Sequence, residues 1–143
     1  MVGPGEPAAD ELATAEAVGR ELGRRGAVLV CGGLGGAMEA ACRGASESGG
    51  TTVGILPGNE RSAANSYVAI AIATGLGEAR NALVVRTADA VVAVGGGYGT
   101  LSEIGLGLKA GKPVVGLGSW EIDGMTVAAT AEQAVAAALA ALG

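Results

Sequence analysis

The chain reads as an α/β protein, a doubly wound parallel sheet with helices on both faces, and three observations carry that reading. Short apolar runs alternate with stretches of helical period in the order β-α-β-α-β-β-α-β-α-β-α. Glycine-rich loops follow the apolar runs and open straight into helices, most clearly at residues 32–36 and 95–99. The core must be filled by Ala, Val, Leu and Ile, because 50% of the residues are hydrophobic while the only aromatics are Tyr67, Tyr98 and Trp120. With 143 residues, one domain covering 1–143 is expected, a Rossmann-like unit for binding nucleotide or phosphate.

Residues 1–7 (MVGPGEP) read as the end of a first strand entering a glycine loop, with only Met1 and Val2 left of that strand, as though the chain began late. Gly3, Gly5 and Ala8 fall on the G-x-G-x-x-A pattern of dinucleotide-binding loops. Pro4 and Pro7 stiffen this loop, and the next strand ends without the acidic residue that holds an adenosine ribose, so NAD binding is not expected. Residues 10–25 place Leu12, Ala15, Val18 and Leu22 on one helical face, and Gly26 ends the helix. Residues 27–31 (AVLVC) form a second strand, followed by the GGLGG loop at 32–36 and a helix over 37–48. In that loop Gly33 and Gly35 either help to hold an anion or simply bring strand and helix together.

Residues 51–56 (TTVGIL) are a third strand, and the polar loop 57–66 follows it. Ligands of open α/β sheets bind at the carboxyl ends of strands, which makes Asn59, Arg61 and Asn65 candidate contacts. Residues 67–73 (YVAIAIA) read as a short strand and 79–88 as a helix with Arg80 and Asn81 in its first turn. Arg86 falls on another face of that helix, as a solvated charge. Residues 90–94 form a buried strand, 101–109 a helix and 113–117 a strand. Residues 118–129 are read as a loop, and Thr130 with Gln133 caps the last helix.

The pattern centres on residues 90–103. An apolar strand feeds Gly95, Gly96, Gly97, Tyr98 and Gly99, and Thr100 then opens a helix. A glycine loop at a helix N-terminus offers free backbone N–H groups and the positive end of the helix dipole to an anion, with no Cβ in the way. The competing reading is a capping box between Thr100 and Glu103.

Composition excludes several function classes. The net charge of −5 and the lack of a basic run argue against nucleic acid as a partner. The chain has no His, which rules out Ser-His-Asp triads and His-ligated metals, and no metal site or cofactor is expected. Its only lysines, Lys109 and Lys112, lie outside any apolar setting that would suit Schiff-base chemistry, and no P-loop pattern occurs. Cys31 and Cys42 are expected to be buried free thiols. No signal peptide or membrane-spanning run is visible, so a cytoplasmic location away from the membrane is expected. The helix at 101–109 carries Ile104, Leu106 and Leu108 on more than one face, which points to a homo-oligomer, most simply a dimer.

Three stretches carry a family resemblance. Residues 95–103 (GGGYGTLSE) resemble the P/G-G-G-x-G-T-x-x-E motif of the Lonely Guy family, whose members often carry the label "possible lysine decarboxylase". Residues 32–37 and 49–57 are similar to that family's second glycine loop and G-x-x-x-G-I-x-P segment, and Arg80 with Asn81 falls where its M-H-x-R-K carries arginine. The resemblance implies hydrolysis of the N-glycosidic bond of a nucleoside 5′-monophosphate, with the phosphate on residues 96–100 and Arg80 and Glu103 as the catalytic pair. A carboxylate beside C1′ stabilises the developing oxocarbenium ion, and arginine forks onto phosphate or ribose oxygens. The segment GEARN at 77–81 departs from the arginine motif, and Ser102-Glu103 replaces the family's Glu-Glu. In these respects the chain is similar to the shorter, DprA/Smf-related branch, which includes molybdenum-cofactor carriers. Those bind a phosphorylated pterin and catalyse nothing. A small phosphorylated ligand, nucleotide or pterin, is expected under either alternative.

Overall fold

The computed structural model describes residues 1–143. Its strands are β1 (Leu29–Cys31), β2 (Thr52–Leu56), β3 (Ile70–Ala73), β4 (Val91–Val94), β5 (Val114–Leu117) and β6 (Thr126–Ala128). Its helices are α1 (Ala9–Arg24), α2 (Ala37–Glu47), α3 (Arg80–Thr87), α4 (Tyr98–Lys109) and α5 (Ala131–Ala140). The strands form two three-stranded parallel sheets, β1-β2-β3 and β4-β5-β6. The doubly wound α/β class is as the sequence indicates, but the sheet is not strictly continuous.

Residues 1–3 lie between the halves. Val2 bridges Ala93 in parallel, its N–H donating to Val92 O at 2.9 Å and its carbonyl accepting from Val94 N at 2.9 Å. On the other side the amino group of Met1 donates to Val30 O at 2.8 Å. The chain thus winds outward from this segment to β3 in one direction and to β6 in the other. The joint consists of an isolated bridge on one side and one amino-group hydrogen bond on the other, which do not make a regular strand pairing.

Alternating side chains along each strand send apolar groups to both faces. Val92, Val94, Val115 and Leu117 pack with α1, α2 and α5 through Val18, Ala41 and Val135. Val91, Ala93 and Val114 pack on the other face with Val84, Val85 and Ile104 of α3 and α4. Small residues draw α1 and α2 together: a Cβ on Gly19 would fall 1.9 Å from Ala41 O, and one on Gly44 2.1 Å from Glu16 O. Arg43 of α2 pairs with Glu16 of α1 at 2.7 Å across the same seam. Cys31 and Cys42 are free, buried and 3.5 Å apart at sulfur. Lys112 Nζ donates to Val85 O at 2.7 Å and Arg86 O at 2.8 Å, and also to Ala88 O, closing the C-terminus of α3.

Three boundaries differ from the sequence reading. The loop expected over 118–129 contains β6, an edge strand whose Thr126 and Val127 are exposed, so it lacks the apolar run that marks a buried strand. The strand expected over 67–73 is confined to Ile70–Ala73 at the opposite edge. Helix α4 starts at Tyr98, with Gly97 at its N-cap. Glu103 therefore stands more than a turn inside the helix, where it cannot cap it, and the capping-box alternative for Thr100 and Glu103 is removed. At α5 the expected cap is present: Thr130 Oγ1 accepts from Gln133 N, while Gln133 Oε1 accepts from Ala129 N. No helix is long and apolar enough to cross a membrane.

Candidate ligand-binding site between the two half-sheets

Where the winding reverses, the connections leaving residues 1–3 and β4 diverge and open a crevice at the carboxyl ends of the strands. It holds a cavity of about 240 Å³ walled by residues 1–5, by Gly32 and Met38, by Arg80 and Asn81, and by Gly97, Gly99, Thr100 and Glu103. The N-terminus of α4 forms one wall. Its first intrahelical bond runs from Leu101 N to Gly97 O, so the N–H groups of Tyr98, Gly99 and Thr100 have no partner inside the helix. A Cβ on Gly97 or Gly99 would meet nothing within 4 Å, which leaves open space over these amides. Gly95, at φ +65°, turns the chain from β4 into this loop while its N–H donates to Leu117 O at 3.2 Å. Opposite, Ala37 N donates to Pro4 O at 3.0 Å and ties the 3–5 loop to α2.

Arg80 begins α3 after a short 3₁₀ turn over Gly77–Ala79. Its guanidinium lies over Gly32, where a Cβ would come within 2.7 Å of Nη2. Nη1 donates to Asn81 Oδ1, and the buried Nε has no partner in the protein. The ion pairs of the chain involve α1, its C-terminal Arg25 and α2, so no carboxylate stands within ion-pair distance of this arginine, although Glu103 lies near enough to feel its charge. Glu103 is 7% exposed and Thr100 is buried beside it. Burial raises the Glu103 carboxyl to about 7, against smaller opposite pulls from the chain's amino group and Arg80. Near neutral pH this carboxyl therefore titrates between the acid, which can donate a hydrogen bond to a ligand, and the carboxylate, which can only accept one.

Of the residues singled out from sequence, the structure brings Arg80, Asn81, Gly97, Gly99, Thr100 and Glu103 to this one cavity. Gly95 and Gly96 of the loop and Tyr98 at the start of α4 stand beside it outside its lining, and Gly33 and Gly35 also lie outside. Gly33 accepts from Asn65 N at 2.9 Å, and Asn65 Nδ2 donates to Leu34 O at 2.9 Å, so Asn65 tethers its loop. Asn59 stands against Gly75, and Arg61 is exposed. These three loop residues do not reach the cavity. Glu60 and Glu78 are exposed as well, which leaves Glu103 as the one carboxylate in the lining. Gly32 and Met38 were not foreseen as contacts. Gly32 opens the same glycine loop as Gly33, whereas Met38 carries no local signal because its place depends on how α2 leaves the loop.

A larger cavity, about 490 Å³, opens at the opposite edge of the sheet beside Leu22, Val28, Val53, Leu139 and Leu142. Its lining is apolar apart from Thr87 and Asp89 and offers no comparable set of polar groups, so the smaller cavity is the chemical one.

The fold and this crevice define a doubly wound α/β protein whose glycine loops meet at the switch point. The chain belongs to the SLOG cluster4 family, whose family model matches residues 1–141. A protein of Archaeoglobus fulgidus, described as uncharacterized, is 45% identical over 136 residues, covering 94% of this chain and 89% of that protein. The molybdenum cofactor binding protein of the phototrophic bacterium Rippkaea orientalis superposes with a TM-score of 0.93 at 36% identity, covering 99% of this chain and 94% of that one. The molybdenum cofactor carrier protein of Chlamydomonas reinhardtii does so with a TM-score of 0.88 at 38% identity, again over 99% and 94%. The chain thus falls in the Lonely Guy- and DprA-related Rossmann branch that its motifs resemble.

Proposed function

We propose that this chain binds a phosphorylated small molecule in the switch-point cavity and carries it unchanged, the cargo being a phosphorylated pterin of the molybdenum-cofactor type. The observation that carries the proposal is likeness along 99% of the chain to two solved proteins described as a binder and a carrier of that cofactor. The local chemistry fits such a cargo. The cargo phosphate docks on the amides of residues 98–100, where the helix dipole and the open space over Gly97 and Gly99 favour an anion. Arg80, in no direct ion pair, supplies the compensating charge, and its buried Nε supports a ligand acceptor at that spot. Glu103 and Asn81 offer polar contacts beyond the phosphate.

The experiment mixes the protein with a pterin phosphate monoester, with AMP and with a cytokinin nucleotide, and follows binding by calorimetry and base release by chromatography. The carrier reading expects the pterin phosphate to bind and be recovered intact, with no base released from either nucleotide. A second reading, a phosphoribohydrolase, is favoured by one observation: Arg80 and Glu103, in register with the Lonely Guy catalytic pair, line the same cavity. It requires base release that disappears in both Glu103→Gln and Arg80→Ala.

The protein works as a homo-oligomer built on a dimer. Ile70 and Ile72 of β3 are about half exposed, and Leu83 of α3 and Leu106 of α4 are also left to solvent. Light scattering at micromolar concentration checks this, and a monomer there overturns it.

A further inference from the structure

We infer that Tyr98 and Trp120 form a stacking shelf at the rim of the cavity that takes the flat heteroaromatic ring of the ligand, so that the site selects ring-bearing phosphate esters over simple sugar phosphates. This rests on the cavity reading above and adds to it the part of the ligand that the cavity does not enclose. At about 240 Å³ the cavity falls below the roughly 300–1,000 Å³ that encloses a whole drug-sized ligand, so the ring of a pterin or nucleoside phosphate projects beyond it.

The chain has three aromatic residues, and two of them stand here. Tyr98 lies between two cavity residues, Gly97 and Gly99, yet is itself 84% exposed, an unusual setting for a large ring. Trp120 stacks on it with ring centroids 6.4 Å apart and planes 27° off parallel. The indole is held in place: its Nε1 donates to Gly97 O at 3.2 Å. The glycine loop makes room for it, since a Cβ on Gly96 would fall 2.8 Å from Nε1. One face of a pre-stacked, anchored pair is thus offered to solvent beside the anion cradle. Tyr67, the remaining aromatic, is packed against the core and offers no such face.

Flat bases stack on aromatic side chains with little loss of freedom when the platform is already ordered. The ring therefore contributes affinity through the Tyr98 side chain while the phosphate contributes through the backbone amides of residues 98–100 and Arg80, and the two parts separate experimentally. Calorimetry on the full chain compares ribose 5-phosphate, AMP and a pterin phosphate monoester. Trp120, the sole tryptophan, reports ring contact by its fluorescence, excited where AMP does not absorb. The expected result is that a ring-bearing ligand binds about tenfold or more tightly than ribose 5-phosphate and changes Trp120 emission, which ribose 5-phosphate leaves unchanged. Tyr98→Ala should remove that advantage, so that AMP binds the variant no more tightly than ribose 5-phosphate binds the same variant, while Tyr98→Phe, which keeps the face, should retain it. If Tyr98→Ala leaves the advantage intact, or Trp120 emission does not respond to AMP at saturation, the ring lies elsewhere and the shelf is overturned while the cavity reading stands. If none of the three ligands binds the wild-type chain, the cavity reading fails and the shelf fails with it.

Discussion

Arg80 lies directly over Gly32, so closely that a Cβ on Gly32 would come within 2.7 Å of Nη2 and 2.8 Å of Met38 Sδ. The glycine loop after β1 therefore seats the cation of the site. Gly32→Ala meets the ends of two flexible side chains, which swing aside at small cost, and stability should change by no more than about 1 kcal/mol. The guanidinium leaves its place above the loop, and affinity for ribose 5-phosphate should fall by about tenfold or more, as for loss of a charge-assisted hydrogen bond. Calorimetry alongside thermal unfolding checks both halves.

Glu103 gives the fold a pH dependence of known sign. Its carboxyl rises from 4.5 to about 7 on folding because burial disfavours the charged form. Between those values the folded state binds more protons than the unfolded one, so this group's stability contribution is fully present below about 4.5 and is lost as pH rises through about 7. Glu103→Gln removes the titration. The variant should match wild type near the acid end of that window and exceed it by roughly 2–4 kcal/mol at pH 8, from about 1.4 kcal/mol per pH unit. Taking the difference between the two proteins cancels opposing carboxylates such as Glu16, which its hydrogen bond to Arg43 holds below the usual range. Denaturant unfolding across this pH range is the measurement, and a pH-independent difference would contradict the assignment.

The seam between α1 and α2 predicts a different kind of failure. A Cβ on Gly44 would meet the backbone oxygen of Glu16 at 2.1 Å, and backbone does not move aside as a side-chain tip does. Gly44→Ala should force the two helices apart and cost about 2 kcal/mol or more. Gly105 of α4, where a Cβ would meet nothing within 4 Å, is the control. Gly105→Ala should be neutral or stabilising by up to about 1 kcal/mol. Melting temperatures of the two variants compare them directly.

The parts of this protein legible in the sequence are those written locally. Residues 91–94 and 114–117 are apolar runs that fill buried strands, and the glycines at 95–99 mark a strand-to-helix loop without any tertiary information. The sequence does not mark the start of α4, because Gly97 caps it with no side chain while Thr100 and Glu103 mimic a capping box from inside the helix. β6 leaves no mark in the sequence because an exposed edge strand of three residues needs only one partner and no apolar run. For the site, the motif spacing singled out Arg80 and Glu103, but which loop contacts the cavity depends on packing. Asn65 looked like a ligand contact by composition and is spent on the carbonyls of Gly33 and Leu34. Trp120 gave no signal because it reaches Gly97 only once β4 and β5 pair.

Gly99 separates folding from binding most cleanly. It sits in the first turn of α4, and a Cβ there would meet nothing within 4 Å. In a helix, alanine is favoured over glycine because less backbone entropy is lost, so Gly99→Ala should raise stability by about 0.5–1 kcal/mol. The open space above Gly99 belongs to the cavity, however, and its amide is one of those without a helical partner. A methyl group there holds a phosphate away from the amides of residues 98–100, and Gly99→Val adds bulk that no small shift relieves. Ribose 5-phosphate affinity should therefore fall by about tenfold in Gly99→Ala and further in Gly99→Val, with the alanine variant melting no lower than wild type. If Gly99→Ala melts higher and binds ribose 5-phosphate as well as wild type, the α4 N-terminus is not the phosphate seat. Arg80 would then have to hold the anion from the opposite wall.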